Sequence, residues 1–498
     1  MSTRRQRWAA MATGRAAVPV RRDLRNCAPC RGKLLATMKA EIAQTAAHTL
    51  KPLNAKLQSR PDFIPAAPRT EVVKLPGHTV LYDVHSMAAV EVDDKRIEQP
   101  GWVQSLHEHG LNCAEKPQFR FFHQTECLYL ILEATHACNL ACQYCFVRNY
   151  YPEQGGMMTM DTARKAIDLL SPKQPVSVGF FGGEPLLNWD LIAGVTAYAK
   201  DLAAKRGVAS RLHITTNATL LDEERIRFLD ANGFSLIVSL DGPEEMHNRM
   251  RPGKSAALNS QQATVANLRK FKGRGLALRT TLRSTFTGAG IEMLPRIEYL
   301  NALIEDGCAS HMSVEACSLN ETACLRLPDG HPLAITPAHY DALAQEYHLA
   351  ANWYVAQVRA GKRPSLQQFA WALRRLLYTQ HSCTECGAGC GYLSVDPDGH
   401  LFACHREGKS VIGHLDTGVD EELRAKWKDN RFYARPDCIV CPIKYLCGGG
   451  CRMNSLDRHN DIRRPDEMDC FLKRRMFEEA LWIMCELGPE TLRAIFPG

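Results

Sequence analysis

Three cysteines spaced Cys138-x3-Cys142-x2-Cys145 lie in Thr135-His-Ala-Cys-Asn-Leu-Ala-Cys-Gln-Tyr-Cys-Phe146, directly after the apolar run Leu128-Tyr-Leu-Ile-Leu132. Each iron of a [4Fe–4S] cube takes one outer ligand, so three thiolates hold three irons and leave the fourth open to another molecule. Closed tetrahedral zinc wants a fourth protein ligand, and none follows at short range. Unmetallated buried thiols are the other alternative.

A second cysteine field lies near the carboxy terminus. Cys438-x2-Cys441-x5-Cys447-x3-Cys451 is followed by Cys470 and preceded by Cys386, Cys390 and Cys404. Eight thiolates fill two fully ligated cubes. Cys438-x2-Cys441 also looks like half of a zinc ribbon, so these residues alone leave zinc open. Cys383 competes with Cys386 or Cys390 as a ligand. Periodicity fades after residue 380, and metal clusters are expected to organise a segment that cannot build a core from its own apolar residues.

The elements that must position these thiols alternate. Strand-like runs fall at Leu128–Leu132, Val176–Phe181, Arg211–Thr215, Ser235–Leu240, Leu276–Leu282 and His311–Val314, with helical periodicity at Thr159–Leu170, Leu221–Asn232 and Ser260–Lys272. Six such units predict an α/β fold with a parallel sheet and right-handed crossovers, a partial (β/α)6 TIM-like barrel. Each polar motif falls just past a strand's carboxyl end, where such sheets bind ligands. Gly182-Gly183-Glu184-Pro185 follows the second strand: glycines allow close backbone approach, and Glu184 can accept from an ammonium group. Thr216-Asn217-Ala218 follows the third strand and Ser239-Leu-Asp241-Gly-Pro243 the fourth, offering hydroxyl, amide and carboxylate groups. Asp241 is a candidate proton acceptor or substrate contact, or else a turn-capping residue before Gly-Pro. Glu315, after the sixth strand, is a second catalytic candidate, with Cys317 and Cys324 nearby as buried thiols.

The rest of the chain bounds the reading. It has 498 residues, enough for several domains. Its net charge of +7 falls short of a nucleic-acid footprint. No stretch reaches the roughly 18 apolar residues of a membrane span. Twenty cysteines in a long chain without an export signal suggest reduced thiols serving as metal ligands in the cytoplasm. Residues 1–48 read as a basic, poorly ordered extension containing Cys27 and Cys30. Residues 49–116 read as a small unit, with strands at Thr79–Val84 and Ala88–Val92 and a helix near Trp102–His109. The barrel is expected over 122–335, a helical linker over 336–380, the cysteine-rich domain over 381–475 and a closing helix over 476–498. The nine cysteines outside the two metal sets, Cys113, Cys127, Cys308 and Cys485 among them, are read as buried thiols.

The cysteine loop, Gly182-Gly-Glu-Pro185 and the polar strand ends together resemble the radical SAM enzymes, and the carboxy-terminal field resembles their SPASM extension. The resemblance spans residues 127–475. It implies S-adenosylmethionine (SAM) at the open iron, cleaved reductively to a 5′-deoxyadenosyl radical. It also implies SAM contacts from Gly182, Gly183, Glu184, Pro185, Asn217, Ser239 and Arg251. In peptide-modifying relatives, His and Arg follow the Ser-Leu-Asp-Gly-Pro stretch, as His247 and Arg251 do here, but Asn248 stands where they often carry Asp. The interleaved SPASM pattern assigns Cys386, Cys390, Cys404 and Cys451 to one auxiliary cluster. It assigns Cys438, Cys441, Cys447 and Cys470 to the other, making three [4Fe–4S] clusters in all. A peptide or small protein, cysteine-rich, is the expected substrate, with a flavodoxin or ferredoxin as electron donor and residues 49–116 recognising a leader peptide. The Cys-Gly-Ala-Gly start of the field looks most like thioether-forming maturases, such as the group that cross-links the small subunit of quinohemoprotein amine dehydrogenase. The alternatives are an anaerobic sulfatase-maturing, formylglycine-generating enzyme and a non-catalytic metal-binding scaffold for a cysteine-rich partner.

Overall fold

The computed structural model describes residues 70–92, 127–147, 156–317, 331–406 and 410–497. The helix expected near Trp102–His109 and Cys27, Cys30, Cys113 and Cys324 lie outside them.

Strands β1 (Thr70–Leu75), β2 (His78–Asp83) and β3 (Ala89–Glu91) form an antiparallel sheet. A tight turn at Gly77, φ 75°, joins the first two, a conformation glycine adopts without penalty. This sheet does not build a core alone. Leu75, Val80, Tyr82, Val84 and Met87 belong to the same apolar cluster as the rest of the molecule.

Six strands carry the centre: β4 (Tyr129–Thr135), β5 (Val176–Gly182), β6 (Ser210–Thr216), β7 (Ser235–Ser239), β8 (Thr280–Phe286) and β9 (His311–Ala316). They pair in chain order and all run parallel. Parallel neighbours require crossovers, supplied here by helices such as Met160–Ile167, Trp189–Arg206, Glu223–Ala231, Ser260–Arg269 and Leu294–Glu305. Thr159, Asp222 and Asn259 cap three of them, each side chain accepting from a first-turn amide.

The fifth core strand lies further along the chain than its apolar run suggests. Gly275–Leu278 forms a helical turn. Arg279 then pins the chain, donating to the Phe234 carbonyl at 3.0 Å and to Asp230 Oδ1 at 2.7 Å. The strand therefore spans Thr280–Phe286, which carries Arg283, Ser284 and Thr285 to the ligand-bearing edge.

The cysteine-rich segment extends the same sheet. β10 (Tyr392–Val395) pairs parallel to β4, and β11 (His400–Phe402), β12 (Val411–His414) and β13 (Gly418–Val419) follow antiparallel, giving ten strands in an open order. Contrary to expectation, this segment shares in the apolar core. Leu393, Val395, Leu401, Ile412, Trp427, Phe432 and Leu446 are buried in the common cluster. The helix Glu467–Ile495, broken by a kink at Gly488, closes the molecule. It packs on helices Tyr340–Arg359 and Gln367–Leu377 and holds the amino-terminal sheet through Trp482 Nε1 on the Pro76 carbonyl (3.2 Å) and Phe477 edge-on to Tyr82. Among the described residues no helix is long and apolar enough to cross a membrane.

Candidate active site and metal centres

The loop after β4 is fixed from both sides. Thr135 Oγ1 donates to the Gly156 carbonyl at 2.8 Å and accepts from the Ala137 amide at 3.0 Å. Further on, the Ala141 and Gln143 amides donate to the Pro252 and Met250 carbonyls, and the Lys254 amide donates to Asn139. Cys138 Sγ accepts from the Leu140 amide at 3.4 Å, and Asn217 Nδ2 lies 4.0 Å away.

These thiols fit a cluster. Burial, with lesser contributions from nearby Glu184 and Cys145, pushes Cys138 up to about 11; burial, only partly offset by Arg251, pushes Cys142 up to about 12. Ionised together, they call for a compensating metal charge. Three thiols on one loop match the three ligated irons of an open cube, whereas closed tetrahedral zinc wants four protein ligands.

Gly182 and Gly183 serve close backbone packing. A Cβ on Gly182 would collide with the Thr135 carbonyl and one on Gly183 with the Ala137 carbonyl. In their place the Gly183 amide donates to Thr135 at 2.7 Å and the Glu184 amide to Ala137 at 2.8 Å. Glu184 is buried, and its carboxylate accepts from Thr216 Oγ1 (2.6 Å), the Asn217 amide (2.8 Å) and the Leu186 amide (3.2 Å). That carboxylate ties the end of β5 to the end of β6, and burial raises its pKa to about 7 despite the three donors. Pro185 opens the 3-10 turn that follows. Asn217 accepts from the amide and hydroxyl of Thr219 and donates to Asn139 Oδ1, so it braces the cysteine loop. Ser239 ends β7, half-buried.

Asp241 is a buried hub. Oδ2 accepts from the Tyr144 hydroxyl at 2.5 Å, and Oδ1 from the Thr285 amide at 2.9 Å, with Arg251 Nε at 3.0 Å. The Arg251 guanidinium lies 5.1 Å from the Tyr144 ring. The Asp241 backbone carbonyl accepts from Ser284 Oγ and Arg296 Nη1. His247 Nδ1 faces the Asp241 amide at 3.1 Å, and burial holds this imidazole neutral, down to about 4. Asp241 thus links the loop residue between Cys142 and Cys145 to β7, β8 and the helix Glu244–Met250. Glu315, by contrast, is exposed at the end of β9, 3.6 Å from Arg283.

In the carboxy-terminal field, Cys404 and Cys451 both feel the charge of Cys386. The Arg452 guanidinium donates to Cys386 Sγ at 3.6 Å and also feels the charge of Cys390. These four therefore share one neighbourhood. Cys438, Cys441, Cys447 and Cys470 share another: Cys438 and Cys447 feel Cys441, and Cys470 feels both Cys438 and Cys441. Cys383 is buried and accepts from Arg431 Nη1 at 3.2 Å. Cys447 and Cys451 are joined by three glycines, all at positive φ (73°, 100° and 71°). Side chains there would be strained, and a Cβ on Gly448 or Gly450 would strike Thr384 or Asp469.

The two regions meet at residues the sequence reading did not single out. Phe146, next to Cys145, stacks on Phe181 of β5 (6.0 Å), and His405, next to Cys404, lies edge-on to the same ring at 4.7 Å. Burial keeps His405 neutral, reinforced by Arg406 and Arg283, and Tyr392 OH bonds its Nδ1 at 2.5 Å. Each adjoins a cysteine, which was the one available signal. Their meeting depends on β10 joining β4.

Residues 132–292 match the Radical SAM superfamily model. With the three-thiol loop on the first core strand, this makes the chain a radical SAM enzyme, a class that works with a [4Fe–4S] cluster and SAM. The serine-type anaerobic sulfatase-maturating enzyme of Klebsiella aerogenes is 29% identical, over 63% of this chain and 77% of that protein. The cysteine-type enzyme of Clostridium perfringens is 24% identical over 65% and 88%, and the radical SAM cyclopropyl synthase TigE of Paramaledivibacter caminithermalis 23% over 76% and 78%. The solved structure of anSMEcpe with bound AdoMet shares the fold at a TM-score of 0.60 and 21% identity, covering 74% of this chain and 95% of that one.

Proposed function

We propose that this radical SAM enzyme is a protein maturase of the sulfatase-maturating kind, oxidising a Cys or Ser residue of a partner to formylglycine. The Klebsiella and Clostridium relatives are named serine-type and cysteine-type anaerobic sulfatase-maturating enzymes, and a further anSMEcpe structure holds AdoMet with a peptide. They displace the thioether-forming reading as the better supported one. The observation that carries the proposal is the Phe146–Phe181–His405 contact, which sets the cysteine-rich field against the SAM edge.

Cys138, Cys142 and Cys145 would hold the SAM-binding cluster, with Cys386/Cys390/Cys404/Cys451 and Cys438/Cys441/Cys447/Cys470 holding two auxiliary ones. When bound, the first cluster and SAM supply a carbon radical that removes a substrate hydrogen atom. Gly182, Gly183, Pro185, Asn217, Ser239 and Arg251 shape the SAM side, with Glu184 locking two strand ends rather than meeting the ligand alone. Asp241 has its oxygens committed to Tyr144, Arg251 and Thr285, so its part is to position the cysteine loop. Glu315, exposed at the mouth beside Arg283, is the group free to meet substrate or accept its proton. The oxidised side chain gives up two hydrogens in all, one as the abstracted atom and one as a proton plus an electron that auxiliary clusters held by those eight cysteines would accept. Ser then stands as the aldehyde, while the thioaldehyde from Cys takes up water and releases H2S. A flavodoxin- or ferredoxin-class donor supplies the priming electron.

One observation favours thioether formation as a second reading: Cys386 is the exposed cysteine of its set, a ligand that a substrate thiol could displace. Anaerobic reconstitution with SAM, reductant and a peptide bearing a sulfatase-type Cys or Ser separates the readings. The expected result is 5′-deoxyadenosine with an aldehyde captured by a hydrazide probe. A product that loses two hydrogens and keeps its sulfur favours the cross-link, and no 5′-deoxyadenosine from iron-loaded protein favours the scaffold.

A further inference from the structure

Far from the barrel mouth, four side chains converge where the amino-terminal sheet meets the closing helix. His78 of β2 faces Glu91 of β3 through Nδ1 at 2.7 Å. Its other nitrogen, Nε2, lies 2.9 Å from Glu486 Oε1 on the helix. Cys485 is the neighbouring helix residue, and its sulfur falls within 4.8 Å of the ligand atoms of His78 and Glu91. Glu486 is itself fixed by Arg359, whose Nη2 lies 2.5 Å from Oε2.

We propose that His78, Glu91 and Cys485 form an open, three-ligand mononuclear zinc site, completed by water, that clamps the amino-terminal sheet to the closing helix, with Glu486 orienting the His78 ring. One nitrogen, one carboxylate oxygen and one thiolate form a donor set that zinc accepts, and a single thiol cannot hold an iron–sulfur cube. Zinc bonds of about 2.0–2.3 Å would set the donors roughly 3.3–3.8 Å apart, so His78 Nδ1 and Glu91 Oε1, 2.7 Å apart here, need to part only slightly. Metal-bound histidines typically donate their second N–H to a carboxylate, which is the place Glu486 occupies. The ligands come from β2, β3 and the helix, so binding adds stability only when sheet and helix are docked. Cys485 loses its thiol proton and His78 binds as neutral imidazole; no electron moves.

The test uses the full chain, purified anaerobically with its iron–sulfur clusters loaded, washed with a mild chelator and given Zn2+. Elemental mass spectrometry should find about one zinc per chain beyond the iron. His78→Ala and Cys485→Ser should lose it with iron content and SAM cleavage unchanged, and zinc-edge absorption should report one sulfur neighbour. Glu486→Gln should weaken zinc about 10- to 100-fold. Should either ligand variant fail to load iron, Glu91→Gln, at the exposed end of the cluster, gives the same reading. Wild-type protein without the extra zinc, variants that keep it, or a zinc edge with several sulfurs would overturn the assignment, leaving His78 as an imidazolium between two carboxylates.

Discussion

The barrel and the cysteine-rich field hold their thiols by different means. In the barrel, the cysteine loop grows from the end of a ladder, β4 between β5 and β10, over strands whose side chains are almost wholly buried. Thr135, Glu184 and Asn217 bond to neighbouring loops and strand ends, and the buried cation Arg251 faces the carboxylate of Asp241. Between residues 381 and 470 the strands are two to four residues long. There, buried cations do much of the bracing. Arg435 reaches Asn430 and the carbonyls of Gly449 and Ile462, Arg452 the carbonyls of Trp427 and Cys386, and Lys444 the Ile439 carbonyl. Buried positive charge bonded to neutral oxygens is costly without a counter-charge. Thiolates gathered on clusters provide one, as the Arg452 contact with Cys386 illustrates. The barrel should therefore fold without its cluster and the field should not.

Single cysteine replacements give this contrast its sharpest test. Cys142→Ala should reduce SAM cleavage to background while the barrel stays folded and iron persists at the carboxy-terminal sites. Unchanged cleavage, or loss of all iron, would refute the assignment. Cys441→Ala should lower iron content, abolish product and open residues 381–470 to protease, yet spare uncoupled release of 5′-deoxyadenosine. Equal protease resistance in that variant and in wild type would erase the difference between the regions.

A smaller effect is expected inside the barrel. Asp241→Ala would strand the buried Arg251 guanidinium and release the Tyr144 hydroxyl, a loss of about 3–5 kcal/mol. Asp241→Asn, which keeps the shape, should cost less. Unfolding in denaturant measures both, and a value under about 1 kcal/mol for the alanine variant would show that the hub does not brace the loop.

How far the sequence revealed this layout follows the same division. Five of the six core strands fall where the apolar runs place them, because long buried runs between turn residues have few other uses. The exception, Leu276–Leu282, opens with the apolar Leu276-Ala-Leu278, and that part forms a helical turn. The Arg279 hydrogen bonds that decide this come from the chain near Asp230, beyond any local window. Thiol spacing was legible because ligation demands it. The hub around Asp241 was legible only in part: Arg251 stood out, whereas Tyr144, Thr285 and Arg296 reach Asp241 from other elements. β10 was invisible, four residues between cysteines whose strand character comes from the open edge of β4. His405 and Phe181 meet only because that strand docks.

The smallest expected effect concerns Glu184, which joins the ends of β5 and β6 from within the barrel. Its carboxyl, raised by burial to about 7 from an ordinary 4.5, keeps a proton in the folded chain over a range where the unfolded chain has released it. The extra stability from that proton is complete below pH 4.5 and is lost as pH rises through 7, at most about 3 kcal/mol. Glutamine cannot ionise, so Glu184→Gln should escape the loss, though it gives up one of the acceptors used by Thr216 and Asn217. Compared at pH 5, the variant should be the less stable protein. By pH 8 the gap should narrow or reverse, whatever other groups do, since they titrate alike in both chains. Anaerobic unfolding of the pair at the two pH values reads this directly. A gap that stays constant would mean that the three donors keep Glu184 ionised throughout, and that the joint between β5 and β6 is a charged one.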